Sequence, residues 1–247
     1  MKKITLHGLL ILILALVGTG SGYAADATFG GDFNSAYVWR GMTFNDGAVF
    51  QPSLDVSHKG FGLNVWGNLD IDDYDNTLNS GKFSEVDLTL SYSFNIEKLS
   101  AAVGWIEYLF PQGAEGTREV YVSLAMDVYK GLTAGLNLYY DVENVGDYFT
   151  AASLGYSLPV GANFTLDLKA LAGYCGEDFA VAYGGTDGGF HDYTFSMTGT
   201  YTLIQNLNIK AYLNYTGSLD DDVLPKKRNG GYQDTDLYGG IGVYYSF

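Results

Sequence analysis

Apolar and polar residues alternate along most of the chain with a period of two. In EVDLTLSYSF, Val86, Leu88, Leu90, Tyr92 and Phe94 share one parity and Asp87, Thr89, Ser91 and Ser93 the other. Successive side chains of a strand point to opposite faces, so the pattern marks strands with one apolar and one polar side. The alternation recurs in FGLNVWGNLDI, where Phe61, Leu63, Val65, Leu69 and Ile71 oppose Asn64, Asn68 and Asp70. It returns in LTAGLNLYYDV, FTLDLKALAGY, LNIKAYLNYTG and the closing DLYGGIGVYYSF. TFGGDFNSAYVWRGM reads as one more strand, with Phe29, Phe33, Tyr37 and Trp39 against Asp32, Asn34 and Arg40. AAVGWIEYLF is apolar on both parities, and turning Glu107 away from the apolar side carries Val103 and Trp105 inward with it. No stretch of the mature chain has a helical period.

Together these segments predict an all-β chain of about twelve strands of roughly ten residues, the length a tilted strand needs to cross a bilayer. The connections between them alternate. Tight turns at 58–60, 95–98, 129–131, 159–163 and 203–206 separate a second set at 45–48, 70–83, 110–117, 143–147, 175–191 and 217–234, which holds every long loop. Short turns on one side and longer loops on the other are what a transmembrane antiparallel β-barrel of the outer-membrane type requires. A soluble sandwich would put charge on its polar face, whereas here that face is rich in Gly, Ser, Thr, Asn and Tyr. Pro52, inside AVFQPSLDVSH, lacks the N–H that a closed ladder uses, so a bulge or local break is expected there.

The first residues change the setting. Lys2 and Lys3 precede the apolar GLLILILALVG and the small residues of GSGYAADA, the form of a secretory signal peptide. Cleavage after Ala24 or after Ala27 suits that form, and the domain division adopted is a leader over 1–24 and one barrel over 25–247. The chain holds 13 Lys and Arg against 28 Asp and Glu, a formal net charge of -15, which excludes nucleic acid as a partner. Cys175 is the single cysteine, so no internal disulfide forms.

With the polar parity turned to the lumen, acids collect at the outer mouth: Asp70, Glu85, Asp87, Glu107, Glu119, Asp141, Glu143, Asp192 and Asp236, with Arg40 the cation at that height. Rings of carboxylates favour cations, which predicts a narrow channel for cations or neutral solutes. The alternative use of the same acids is to pair with Arg40 and one another in a plugged barrel. Lower down, Lys169 and Lys210 face Asp167, Asp55 and Asp32, and internal ion pairs are the expected outcome. Trp66, Trp105, Tyr121, Tyr139 and Tyr212 are the candidates for a constriction.

Catalysis and cofactors find little support. Of the mature histidines, His58 lies in a turn beside Lys59 and Gly60, and His191 sits next to Asp192 at the outer rim. An Asp-His hydrolase there has no accompanying motif, so the protein is expected not to be an enzyme. Cys175, placed in an outside loop, has no neighbouring base to activate it. NLDIDDYDN lacks the calcium-loop pattern, SLDDDVLPKKRNGG neutralises itself, and no metal or cofactor is expected.

SAYVWRG (with Ser35, Tyr37, Arg40 and Gly41), GLNVWGNLD, SEVDLTLSYSF, AAVGWIEYLFP and REVYVSLA follow one another in an order and spacing that resembles the TorF-like porins. These are proteobacterial outer-membrane proteins formerly grouped as conserved and uncharacterised, and the likeness runs from Ala27 to Leu158. Asn68 and the Phe110-Pro111 step depart from the family's serine and tyrosine. The resemblance implies an integral outer-membrane porin for passive diffusion of small solutes, without naming the solute. The terminal row with Tyr245 and Phe247 likewise resembles the signal by which barrel-assembly machinery inserts such chains. Lipid and lipopolysaccharide outside and small solutes inside are the other partners implied. A non-conducting barrel that binds a partner or stiffens the envelope is the second reading, and a rim hydrolase the last.

Overall fold

The computed structural model describes residues 25–72 and 78–247. Residues 1–24, where a signal peptide is expected, and 73–77, which include the end of the NLDIDDYDN stretch, lie outside the described residues. The strands are β1 (Asp26–Asn34), β2 (Tyr37–Trp39), β3 (Met42–Asn45), β4 (Val49–His58), β5 (Phe61–Asp70), β6 (Phe83–Ile96) and β7 (Leu99–Leu109). They continue with β8 (Thr117–Tyr129), β9 (Leu132–Asp141), β10 (Tyr148–Pro159), β11 (Phe164–Cys175), β12 (Gly189–Ile204), β13 (Leu207–Ser218) and β14 (Leu237–Ser246). Twelve of them form a closed antiparallel barrel in which each pairs with its sequence neighbours, while β2 and β3 form a separate hairpin. β1 closes the ring against β14, from Thr28 opposite Ser246 to Asn34 opposite Gly240.

The tight turns and long loops segregate to opposite ends as the spacing predicts. At Lys59 and Gly60 both φ angles are positive, 50° and 87°. A two-residue turn of that kind matches the right-handed twist of the strands it joins. Outside the barrel, apolar side chains stand uncovered all the way round: Phe33 is 61% exposed, Leu90 58%, Phe195 56% and Ile241 60%. An apolar belt of this extent has lipid as its solvent. The row that ends at Phe247 belongs to it, which makes the molecule a transmembrane β-barrel.

Three expectations need correction. The first strand stops at Asn34, and 35–48 turns into the lumen, so Tyr37 and Trp39 are inside, not in the lipid row with Phe33. In β7 the parity is reversed. Trp105 and Val103 are exposed with the outer apolar row, Glu107 pairs across to Leu88, and Gly104, Ile106 and Tyr108 point inward. Glu107 keeps its charge outside because it meets Arg118 at 2.8 Å, which also reaches Glu143 at 3.2 Å. Trp105 is therefore no constriction, and Glu107 and Glu143 are not lumenal. The chain also contains a short helix, α1 (Glu177–Ala182), inside the β11–β12 loop.

Pro52 produces a break without a bulge. Its strand stays continuous and pairs with Gly31 of β1, but the β4–β5 ladder lacks its pairs at Gln51 and Pro52 while keeping the same register on either side. Side chains bridge the gap: Gln51 Nε2 donates to Asn68 Oδ1 at 3.0 Å, and Asn34 Nδ2 donates to Gln51 Oε1 at 2.7 Å.

Candidate functional site

The lumen is organised by the β2–β3 hairpin. Its turn places Arg40 and Gly41 at φ 50° and 74°, the same tight geometry as the Lys59-Gly60 turn. A Cβ on Gly41 would lie 2.6 Å from Cβ of Asp192, so the tip fits against β12 only without a side chain. The ring order puts β8 nearly opposite β1, and there Arg40 donates to Glu119 through both terminal nitrogens, at 2.8 and 2.7 Å. The hairpin thus crosses the barrel and is tied at its tip to the far wall.

The tie is buried, with side-chain exposures of 7% for Arg40 and 4% for Glu119. Tyr108 Oη adds a third bond to Glu119 at 2.8 Å. The guanidinium lies over four rings, with its carbon 4.0 Å from the centre of Trp39, 4.4 Å from Tyr139, 4.6 Å from Phe149 and 5.5 Å from Phe179. A planar, permanently charged fork suits this setting, because it pairs bidentately with the carboxylate in its plane and stacks above and below.

The rest of the hairpin is tied as closely. Tyr37 Oη donates to Glu85 at 2.9 Å, and Asn45 Nδ2 donates to Asp70 at 2.8 Å. Thr43 N donates to the Tyr232 carbonyl at 2.8 Å, which joins the hairpin to the β13–β14 loop. Behind the tip, Met42, Phe149, Cys175, Phe179, Val223 and Leu224 form a buried apolar cluster contributed by the hairpin, the wall, α1 and that loop. The outer half of the lumen is therefore a packed plug.

Three of the nine predicted acids hold this plug directly. Asp70, Glu85 and Glu119 hold the hairpin, and Asp141 accepts the backbone N–H groups of Glu143, Asn144 and Val145, fixing the β9–β10 loop. Asp236 is exposed and bonds Gln233. Asp192 is buried beside His191, with Nδ1 and Oδ1 3.1 Å apart. That histidine is not at the rim. A register shift in the β11–β12 pairing near Ala172 brings it inside, wholly buried against Phe149 and Phe179, where no substrate reaches it. Cys175 is likewise buried at the end of β11, not in a loop. Below the plug, Lys210 pairs with Asp32 at 3.2 Å as expected, but among the described residues Lys169 makes no salt bridge and instead borders a lumenal cavity.

Space remains on both sides of the hairpin. An outer cavity of about 270 Å³ lies between the hairpin, α1 and the loops after β7 and β9. Two inner cavities of about 320 and 390 Å³ lie on the other side, lined among others by Trp66, Tyr212 and Asn214 in one and Tyr139, Lys169 and Ser196 in the other. Trp66, Tyr139 and Tyr212 therefore do project inward, as does Tyr121, whose ring centre is 5.7 Å from that of Tyr139. Tyr108, Phe179 and Asn45 were not singled out by sequence. Tyr108 was hidden by the misassigned parity of β7, and Phe179 by its place in a long loop.

A lipid-facing barrel of twelve strands with a polar lumen, crossed by a hairpin from its first outer connection, has the architecture of a small porin. The chain belongs to the family described as bacterial protein of unknown function (Gcw_chp), whose model matches residues 19–198. Among solved structures, the NanC porin in a rhombohedral crystal form is 16% identical, with a TM-score of 0.53 over 90% of this chain and 99% of that one. The KdgM porin in complex with disordered oligogalacturonate is 14% identical, with a TM-score of 0.54 over the same shares. At these identities the likeness is one of fold. No curated protein sequence matches the chain.

Proposed function

We propose that the protein is an integral outer-membrane porin of the TorF-like kind, passing small solutes by diffusion along a lumen narrowed by the β2–β3 hairpin. The observation that carries this reading is the pair of cavity systems on either side of a single hairpin, inside a barrel with a lipid-facing exterior. Passage through it is limited by the hairpin, so the channel is slow and size-selective.

The charge of the lumen points to cations or neutral solutes over anions. Asp32, Asp70, Glu85, Asp87, Glu119 and Asp141 face inward against Arg40, Lys169 and Lys210. Carboxylates in excess raise the local concentration of cations and repel polyacids. The oligogalacturonate bound by the KdgM porin is a polyacid, and a lumen of this sign does not suit it. The expected partners are outer-membrane lipid and lipopolysaccharide around the belt, the assembly machinery at the terminal Tyr245 and Phe247, and the solute itself. No catalytic role is assigned, since the one histidine beside an acid in the lumen is sealed.

The apolar cluster behind the hairpin tip favours a second reading, a barrel that does not conduct and acts through its outer loops. Bilayer recordings separate the two. Small discrete steps, with a reversal potential of cation sign in a salt gradient, support the porin; anion preference removes the selectivity, and silence from folded barrels removes the channel.

A further inference from the structure

We propose that the outer cavity is a binding site for a small organic cation of the quaternary-ammonium type. This rests on the porin reading and assigns that channel its solute class. The cavity walls are aromatic: Tyr37, Trp39, Phe44, Tyr108 and Tyr183 line it, joined by Phe179. The rings form one connected group, with centres 6.0 Å apart for Trp39 and Tyr183, 6.0 Å for Trp39 and Phe44, and 6.3 Å for Phe44 and Tyr183. Burial pushes the Tyr183 phenol up to about 12, so its ring remains neutral.

The remaining charged lining is acidic. Glu85, Glu115, Glu119 and Asp141 border the space, and no Lys or Arg is among the described residues that do. Glu119 is neutralised by Arg40, whereas Glu115 is exposed at the mouth and has no ion-pair partner among the described residues. An aromatic box with a free carboxylate at its entrance and no basic residue complements a cation whose charge is spread over methyl groups, because each ring face attracts positive charge without demanding a hydrogen bond. A metal ion would need convergent oxygen ligands. A neutral sugar would need free donors and acceptors, and here Tyr37 is bonded to Glu85, Tyr108 to Glu119, Thr117 to Asp141 and Asn144 to the Gly116 carbonyl.

The plug already contains this chemistry in occupied form. Trp39, Phe179 and Glu119 line the cavity and also enclose the Arg40 guanidinium, at 4.0 Å from the Trp39 ring and 2.7 Å from the carboxylate. The same surfaces therefore hold a cation on one side and face an open volume on the other. At about 270 Å³ the volume lies just below the usual range of ligand pockets, which limits the occupant to a compact head group.

The test uses the refolded full mature barrel and isothermal titration with choline chloride. Neohexyl alcohol, the uncharged isostere of choline, and sodium chloride at matched ionic strength serve as the comparisons. Choline is expected to bind at least about tenfold more tightly than the alcohol. Tyr183→Leu is expected to weaken choline about tenfold, and Glu115→Gln, an exposed change that leaves the packing intact, about two- to threefold. Folding of each variant is checked by its heat-modified gel mobility. Equal affinity for choline and the alcohol, choline binding unchanged in both variants, or no choline binding by the folded barrel would overturn the proposal. A barrel that conducts without binding choline refutes this site alone, and one that binds choline but never conducts refutes the channel alone.

Discussion

Arg40 is where most of the lumen's structure converges. It sits at positive φ at the hairpin tip, spans the barrel to Glu119, and is enclosed by four aromatic rings. Removing one partner of a buried pair strands the other charge at a cost of about 3–5 kcal/mol. Arg40→Met is therefore expected to release the hairpin tip while the barrel wall, stabilised by its own ladders, stays folded. Cys175 supplies the readout. It is fully buried in the cluster behind the tip, and burial raises its protection further by excluding reagent. A membrane-impermeant maleimide should leave the native protein unlabelled and label Arg40→Met; equal resistance in both would show that the pair does not hold the plug. Arg40→Lys should label nearly as fast as Arg40→Met, since an ammonium cannot make the planar double contact. That Arg40 would find a carboxylate among so many acids was legible in sequence. Which one was not, because nothing local tells a residue at 40 that the chain around it leaves the wall.

The hairpin is the element on which sequence and structure diverge most. In TFGGDFNSAYVWRGM the alternation falters at Ser35, a polar residue on the apolar parity, and at Ala36 and Val38 on the other, but the aromatic parity resumes at Tyr37 and Trp39, so the period bridges the point where β1 ends at Asn34 and the chain turns into the lumen. The cue was Arg40-Gly41 followed by NDGA, two turn signals only a few residues apart, which leave room for a hairpin rather than a spanning strand. In β7 the cause is different. Both parities are apolar, so the charge of Glu107 alone points that parity inward, whereas Arg118 lets it remain outside. The hairpin's fit is predicted to be intolerant at its turn. Gly41→Ala meets both a positive φ of 74° and Asp192, so it should behave like Arg40→Met in the maleimide assay. The Gln51 bridge beside Pro52 offers a milder case. Gln51→Leu removes side-chain bonds to Asn34 and Asn68 where the backbone ladder is already broken, and is expected to cost about 1–3 kcal/mol, read as a lower denaturant midpoint. An unchanged midpoint would mean that water replaces the bridge fully.

At the scale of the whole molecule, the barrel was the most legible feature and the plug the least. A closed ring of strands repeats one local rule, so strand number, alternation of loops and the lipid row through Phe247 all follow from short-range pattern. The plug depends on contacts between residues far apart in the chain, such as Met42 with Phe179 and Leu224, and no periodicity announces them. If the lumen is a solute path divided by the hairpin, single-channel recording on paired proteins will show it. The native mature barrel is compared with one in which residues 36–47 are replaced by a short glycine-serine turn. The native protein should give small, discrete, cation-preferring steps, and the barrel without the hairpin clearly larger ones. No steps from a demonstrably folded barrel without the hairpin, or identical steps from both proteins, would contradict a path divided by the hairpin.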